Sequence, residues 1–302
     1  MATPRYKLVD HQQPHFYHVV SRCVRQSFLC GWNKHTKKDY THRKQWFVDR
    51  LHQLGQAFSV DIFSYSVMNN HFHLVVHYDP VVSKLWRPEE VVRRWLIATP
   101  IRGQNGKIDL KRTKLLQTEL LQDSERIERI REKLSCLSTF MKMLKQPIAR
   151  RANKEDKCCG HFFEQRFYSA VLLDEEAVLA AMAYVDMNPI RAKIASTLEN
   201  CHHTSIAARL KTPSDQLKLR ARITPIITGI RKDSRVNISF GGYIARLRSL
   251  TAAEEKKETR QSRWHCQIVL LRKRQRAYGA EKVLKKWLSL RGMQFREKPM
   301  IG

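Results

Sequence analysis

Acidic residues are scarce in this chain of 302 residues: 28 Asp and Glu stand against 56 Lys and Arg, giving a formal net charge of +28. A folded chain carries such an imbalance at a cost in self-repulsion. A polyanionic partner explains it best, and nucleic acid is the usual one. The same charge argues against a small phosphoester as the natural substrate. Long apolar runs are also missing, so no membrane span is expected. No lipidation motif is visible, and the polar N-terminus lacks a signal-peptide core. The seven cysteines are odd in number and none has C-x-x-C spacing. They are expected to be reduced thiols in a cytoplasmic protein with no membrane partner. Internal repeats and low-complexity tracts are absent. What remains, with 42% hydrophobic residues, is ample for a globular core.

The hydrophobic pattern places the elements. Residues 15–22 read as a first strand, followed by a basic loop carrying Arg22 and Arg25. Thr41 is expected to cap a helix over 42–57, whose Trp46, Phe47, Leu51 and Leu54 recur at helical spacing. Residues 59–67 and 70–78 read as two further strands around Asn69-Asn70. A helix is expected over 82–97, an insertion or mobile loop over 98–115, and one long helix over 117–147. A basic, turn-rich stretch with Arg150 and Arg151 leads to a strand over 161–172, which includes Arg166. Asp174 can cap the next helix, which Pro189 should end near Asn188. From residue 211 onward about 23 basic residues face 7 acidic ones, with basic helices expected over 263–277 and 280–291 and Gly292 as a stop.

Two motifs carry chemistry. On a strand, residues two apart share a face, so His71 and His73 point one way and Phe72 the other. Two imidazoles on one face can share a divalent ion. Chance alone would supply about half of one His-x-His match in this composition, so the pair is weak by itself. Tyr184-x-x-x-Asn188-Pro189 is far rarer, at about 0.01 chance matches. Tyr184 and Asn188 lie one helical turn apart, with Ala177, Ala180 and Ala181 leaving room beside the phenol. The plain alternative is a buried tyrosine followed by a capping asparagine. Tyr168 is the rival nucleophile, but no ligand lies one helical turn from it. His77 shares the strand face of His71 and His73, where a structural or exposed role is expected.

With these motifs in order, the chain resembles the single-tyrosine HUH transposases, in particular the REP-associated tyrosine transposase branch. The resemblance rests on His71-Phe72-His73, on Tyr184 to Ala192, on Phe163-Glu164-Gln165-Arg166-Phe167 after Gly160, and on Tyr17-His18-Val19-Val20-Ser21-Arg22. It covers roughly residues 14–205 apart from 98–125, a probable insertion or loop. Asn69 departs from the family, where a proline is common. The resemblance implies an α+β, ferredoxin-like (RRM-like) antiparallel sheet flanked by helices. It implies a catalytic domain over 1–205 and leaves 206–302 as a basic, mostly helical extension expected to bind DNA. It further implies nicking and joining of single-stranded or hairpin DNA through a 5′-phosphotyrosine, with Tyr184 as nucleophile. His71, His73 and Asn188 would hold Mg²⁺ or Mn²⁺. Arg22, Arg25, Arg150, Arg151, Arg166 and Arg191 are candidate phosphate contacts. A monomer is expected rather than a homodimer. The alternative is a non-catalytic DNA- or RNA-hairpin binder on the same fold, which would have no need to keep His71, His73, Tyr184 and Asn188 together.

Overall fold

In the computed structural model, which describes residues 4–24, 30–33, 37–164, 166–211, 222–230, 235–255, 268, 270–271 and 275–293, the first β-branched run becomes strand β1, His15–Arg22. Helix α1, His42–Gly55, follows. Thr41 occupies the expected cap position but makes no capping hydrogen bond there. Its φ of −58° and ψ of −32° are already helical, so its Oγ1 is out of capping geometry, and its hydroxyl donates back to Asp39 Oδ1 at 2.6 Å. Strands β2, Val60–Val67, and β3, His71–Tyr78, form a hairpin within one residue of the expected bounds. Met68 N–H closes its turn onto His71 O at 2.8 Å.

The middle of the chain is more helical than expected. Pro88 starts α2, Pro88–Ala98, at the position where its fixed φ suits a first turn. The expected loop over 98–115 stops at Asp109, whose side chain caps α3, Leu110–Leu121. The single long helix expected over 117–147 is broken into three. Asp123 accepts Arg126 N–H at 2.8 Å and opens α4, Ser124–Leu134. A second break at Ser135 and Cys136 precedes α5, Leu137–Glu155. Continuous leucine periodicity hid both breaks, since a cap alters the backbone without altering the apolar pattern.

Strand β4 is only Tyr168–Leu172; upstream, Phe163 makes a single bridge to Cys23. Asp174 caps α6, Glu175–Asp186, as expected, accepting Ala177 N–H at 2.8 Å. Asn188–Arg191 makes one more turn, with Pro189 near its start. Beyond residue 205, β5 (Ile227–Thr228) pairs with β2. Helix α7, Phe240–Glu255, comes next. Strand β6, Ala277–Tyr278, then joins β4 in parallel. Helix α8, Glu281–Ser289, precedes Gly292, which has φ of 58°. The helix expected over 263–277 lies mostly outside the described residues, and its last position, Ala277, belongs to β6.

The sheet has six strands in the order β5-β2-β3-β1-β4-β6, antiparallel except for the β4–β6 pair. Its central four, β2-β3-β1-β4, carry the ferredoxin-like order, so the expected α+β class holds. Each face buries a separate cluster. Phe72, Leu74 and Val76 of β3 pack with Phe47 and Leu51 of α1 and Phe140 and Leu144 of α5. On the other face, Val75 of β3 and Ala170 of β4 pack with Ala177, Ala180 and Ala181 of α6. Those alanines bring α6 close to the sheet. A bulge between Ile62 and Ser64 of β2 lets Phe63 and Ser64 both serve the α6 side.

Candidate active site

The α6 face of the sheet carries an aligned row of polar side chains. His71 and His73 share it, as strand alternation requires, with ring centroids 4.9 Å apart. Cα pairing sets Arg22 opposite His71, Val20 opposite His73 and His18 opposite Val75. Directly opposed residues project to the same face. Arg22 and His18 of β1 therefore join the two histidines of β3. His73 and His18 are buried, at 4% and 2% exposure, while His71 is half-buried at the strand end.

Helix α6 lays Tyr184 over this row. Its ring lies 5.6 Å from that of His73 and 5.8 Å from that of His18, edge-on to both. Tyr184 is half-buried, so its hydroxyl is not sealed in the core. The Arg191 guanidinium, one turn past Asn188, sits 5.0 Å from the centre of the Tyr184 ring. Asn188 Nδ2 is enclosed and has no hydrogen-bond partner among the described residues. An enclosed amide without a partner is costly, and a ligand oxygen would relieve it. Turning the amide over would present Oδ1 to a cation instead.

What fixes the last turn of α6 is a buried carboxylate. Asp186 is fully buried and accepts hydrogen bonds from Ser64 at 2.9 Å, Ser205 at 2.5 Å and Tyr243 at 2.7 Å. These partners come from β2, from the short helix Ser205–Leu210 and from α7. Burial pushes the Asp186 carboxyl up from its ordinary range, opposed by those hydroxyls and by the nearby Arg209. The Tyr243 hydroxyl is pushed up by its own burial and by the charge of Asp186. The network ties the last turn of α6, which carries Tyr184, to β2 and to α7.

The other expected residues fall elsewhere. Arg150 and Arg151 are exposed on α5, the layer covering the opposite face. Arg151 stacks on Trp46 at 3.8 Å, and Arg150 flanks a groove shared with Lys142, Lys145 and Phe163. Arg166 is exposed just before β4. Arg25 lies outside the described residues. Tyr168, the rival nucleophile, does share the site's face, its ring 6.2 Å from that of His18, but its hydroxyl donates to Gln275 O and lies 3.1 Å from the Tyr278 hydroxyl, so it is engaged in structure. His77 packs against Phe16 with centroids 4.7 Å apart, away from Tyr184.

Two site residues escaped the sequence reading. His18 was visible only as part of a strand; its even position on β1 matched the face of His71 and His73, but the strand pairing was not yet known. Asp186 is an acid in the otherwise apolar second half of its helix, a signal that could have marked a buried polar anchor.

Among the described residues no three His, Cys, Asp or Glu side chains are grouped to hold a metal. The donor set at hand is two imidazoles and a carboxamide. Such mixed nitrogen and oxygen donors suit Mn²⁺ and tolerate Mg²⁺ with water completing the shell. The described helices include none long and apolar enough to cross a membrane. No family model matches the chain, and no curated protein matches it. Among solved structures, one described as a REP-associated tyrosine transposase bound to a REP hairpin is similar at 11% identity, with a TM-score of 0.41. The match covers 78% of this chain and 100% of that one. At that level the likeness carries no argument about activity.

Proposed function

We propose that the chain nicks and rejoins single-stranded DNA beside a hairpin, by metal-dependent transesterification on Tyr184. The observation that carries this reading is the seating of Tyr184 of α6 edge-on to His73 of β3, with Asn188 one turn further on. The nucleophile and one ligand candidate, more than a hundred residues apart in sequence, thus meet at one spot.

His71, His73 and Asn188 would hold Mg²⁺ or Mn²⁺, which when bound would polarise the scissile phosphate and neutralise developing charge. The Tyr184 oxygen attacks phosphorus, forming an O–P bond as the P–O3′ bond breaks. The phenolic proton is lost to solvent, and the departing 3′ oxygen gains one. The phosphodiester energy stays in the 5′-phosphotyrosine, so attack by a 3′-OH can reverse the step and join strands. Arg22, opposite His71, and Arg191, over the Tyr184 ring, are placed to contact phosphate oxygens near the break. Arg25, Arg150, Arg151 and Arg166 would contact flanking DNA. All the chemistry lies within residues 1–205, and the basic 206–302 extension would add phosphate contacts. Because nucleophile and ligands come from one chain, the site needs no second copy and a monomer suffices.

The test uses a labelled single-stranded hairpin with Mn²⁺ or Mg²⁺. Wild type should form a covalent protein–DNA adduct that survives denaturation, and Tyr184→Phe should reduce it by at least about 10³-fold without loss of folding. An equal adduct from Tyr184→Phe removes the nucleophile assignment. Undiminished activity in EDTA removes the metal. Hairpin binding with no adduct from wild type leaves the non-catalytic binder.

A further inference from the structure

His18 plays no part in the chemistry above, yet it is buried against His73. His18 Nε2 and His73 Nδ1 lie 2.9 Å apart, with the rings 12° from coplanar and their centroids 5.2 Å apart. That centroid separation is the nitrogen–nitrogen distance plus one ring radius at each end. The rings therefore meet edge to edge, along the line of an N–H···N hydrogen bond, rather than face to face. His71 has a counterpart: Asn70 Oδ1 lies 2.6 Å from His71 Nδ1. A carbonyl oxygen only accepts, so His71 carries its proton on Nδ1 and keeps the Nε2 lone pair.

Building on the proposed function, we infer that His18 is a positioning residue that holds His73 in its Nδ1–H tautomer. His73 Nδ1–H donates to His18 Nε2, so that Nε2 is the His73 atom that would ligate the cation. Both candidate ligands then present the same kind of atom, each held by its own partner: a strand neighbour for His73 and a turn residue for His71. Ligating imidazoles need such partners, because the hydrogen bond on one ring nitrogen fixes both the tautomer and the ring orientation at the other. A hydrogen bond between two buried rings also resists rotation of His73 about its side-chain bonds. Packing alone would not require a nitrogen at His18, since Val20 and Phe16 serve the same strand face without one.

The decisive readout needs no metal. In ¹H–¹⁵N long-range correlation spectra of the metal-free protein, His73 should show the Nδ1–H tautomer in wild type. A wild-type His73 in the Nε2–H tautomer overturns the proposal. Mn²⁺ titration by calorimetry or EPR gives the second readout. His18→Phe, which keeps the ring and removes the acceptor, should weaken Mn²⁺ binding about 10- to 100-fold. His18→Gln, which returns an oxygen acceptor at similar reach, should recover most of that loss while His18→Phe does not. Equal Mn²⁺ affinity in wild type and a folded His18→Phe overturns the proposal. If wild type binds no Mn²⁺, the metal reading of the site fails instead, and the tautomer spectrum still decides the role of His18.

Discussion

The two faces of the central sheet solve different problems with the same strands. Against α1 and α5, β1 and β3 send Tyr17, Val19, Phe72, Leu74 and Val76 into a core of aromatic and aliphatic side chains. Against α6, the alternate residues of those strands include His18, Arg22, His71 and His73 beside Phe16, Val20 and Val75. One face is held by apolar burial, which is non-directional and tolerant. The other adds, to an apolar cluster of its own, hydrogen bonds of fixed geometry around Asp186 and the His18–His73 pair, which are directional and costly to leave half-made.

Phe140 tests the apolar face. It is fully buried on α5 against Phe58, with centroids 5.5 Å apart. Phe140→Ala should cost about 3–5 kcal/mol in chemical denaturation. The adduct formed per folded molecule should stay at the wild-type level. A large drop per folded molecule would mean the faces are not separable.

Asp186 tests the polar face. Asp186→Ala removes the acceptor shared by three buried hydroxyls, with only Ser64 and Ser205 left to pair with each other, and should cost about 3 kcal/mol. Unlike Phe140→Ala, it should also lower adduct formation per folded molecule, because the last turn of α6 loses its anchor. Unchanged adduct formation would show that the alanine packing alone seats Tyr184.

Arg191→Ala should leave the melting temperature unaltered and slow adduct formation about tenfold, a barrier change of about 1.4 kcal/mol. Its cation lies over the nucleophile rather than in a core. Equal rates would place Arg191 outside the reaction.

The smallest effect belongs to the periphery of the apolar face. Glu90 of α2 is held down to about 2 by hydrogen bonds from Arg93 and then Arg94. A depressed carboxyl stabilises the fold above its ordinary value near 4.5 and loses that contribution as pH falls toward about 2. Glu90→Gln should flatten the stability profile across that window, by no more than about 1 kcal/mol. A profile unchanged by the substitution would assign the acid sensitivity to other carboxylates.

The readable parts of this protein were those in which neighbours in sequence decide the outcome. Strand alternation put His71 and His73 on one face, and the four-residue step put Asn188 one turn from Tyr184. Asp174 capped α6 for the same local reason. The misjudged parts were also local, but ambiguous. Asp109 and Asp123 cap helices inside what read as a loop and as one continuous helix, because a leucine stripe does not reveal where the backbone restarts. Phe163 reads as strand by composition, yet makes only an isolated bridge.

By itself the sequence determined the strands and the helix that carry the site, the charge that calls for a polyanion, and which side chains share a strand face or a helix turn. Those follow from fixed periods of 2.0 and 3.6 residues. Tertiary structure alone decided that β1 lies between β3 and β4, which brings His18 to His73, and that Ser64, Ser205 and Tyr243 converge on Asp186. Such meetings depend on strand order and on helix seating. Both are set by how the whole chain buries its apolar surface, and no local spacing records them.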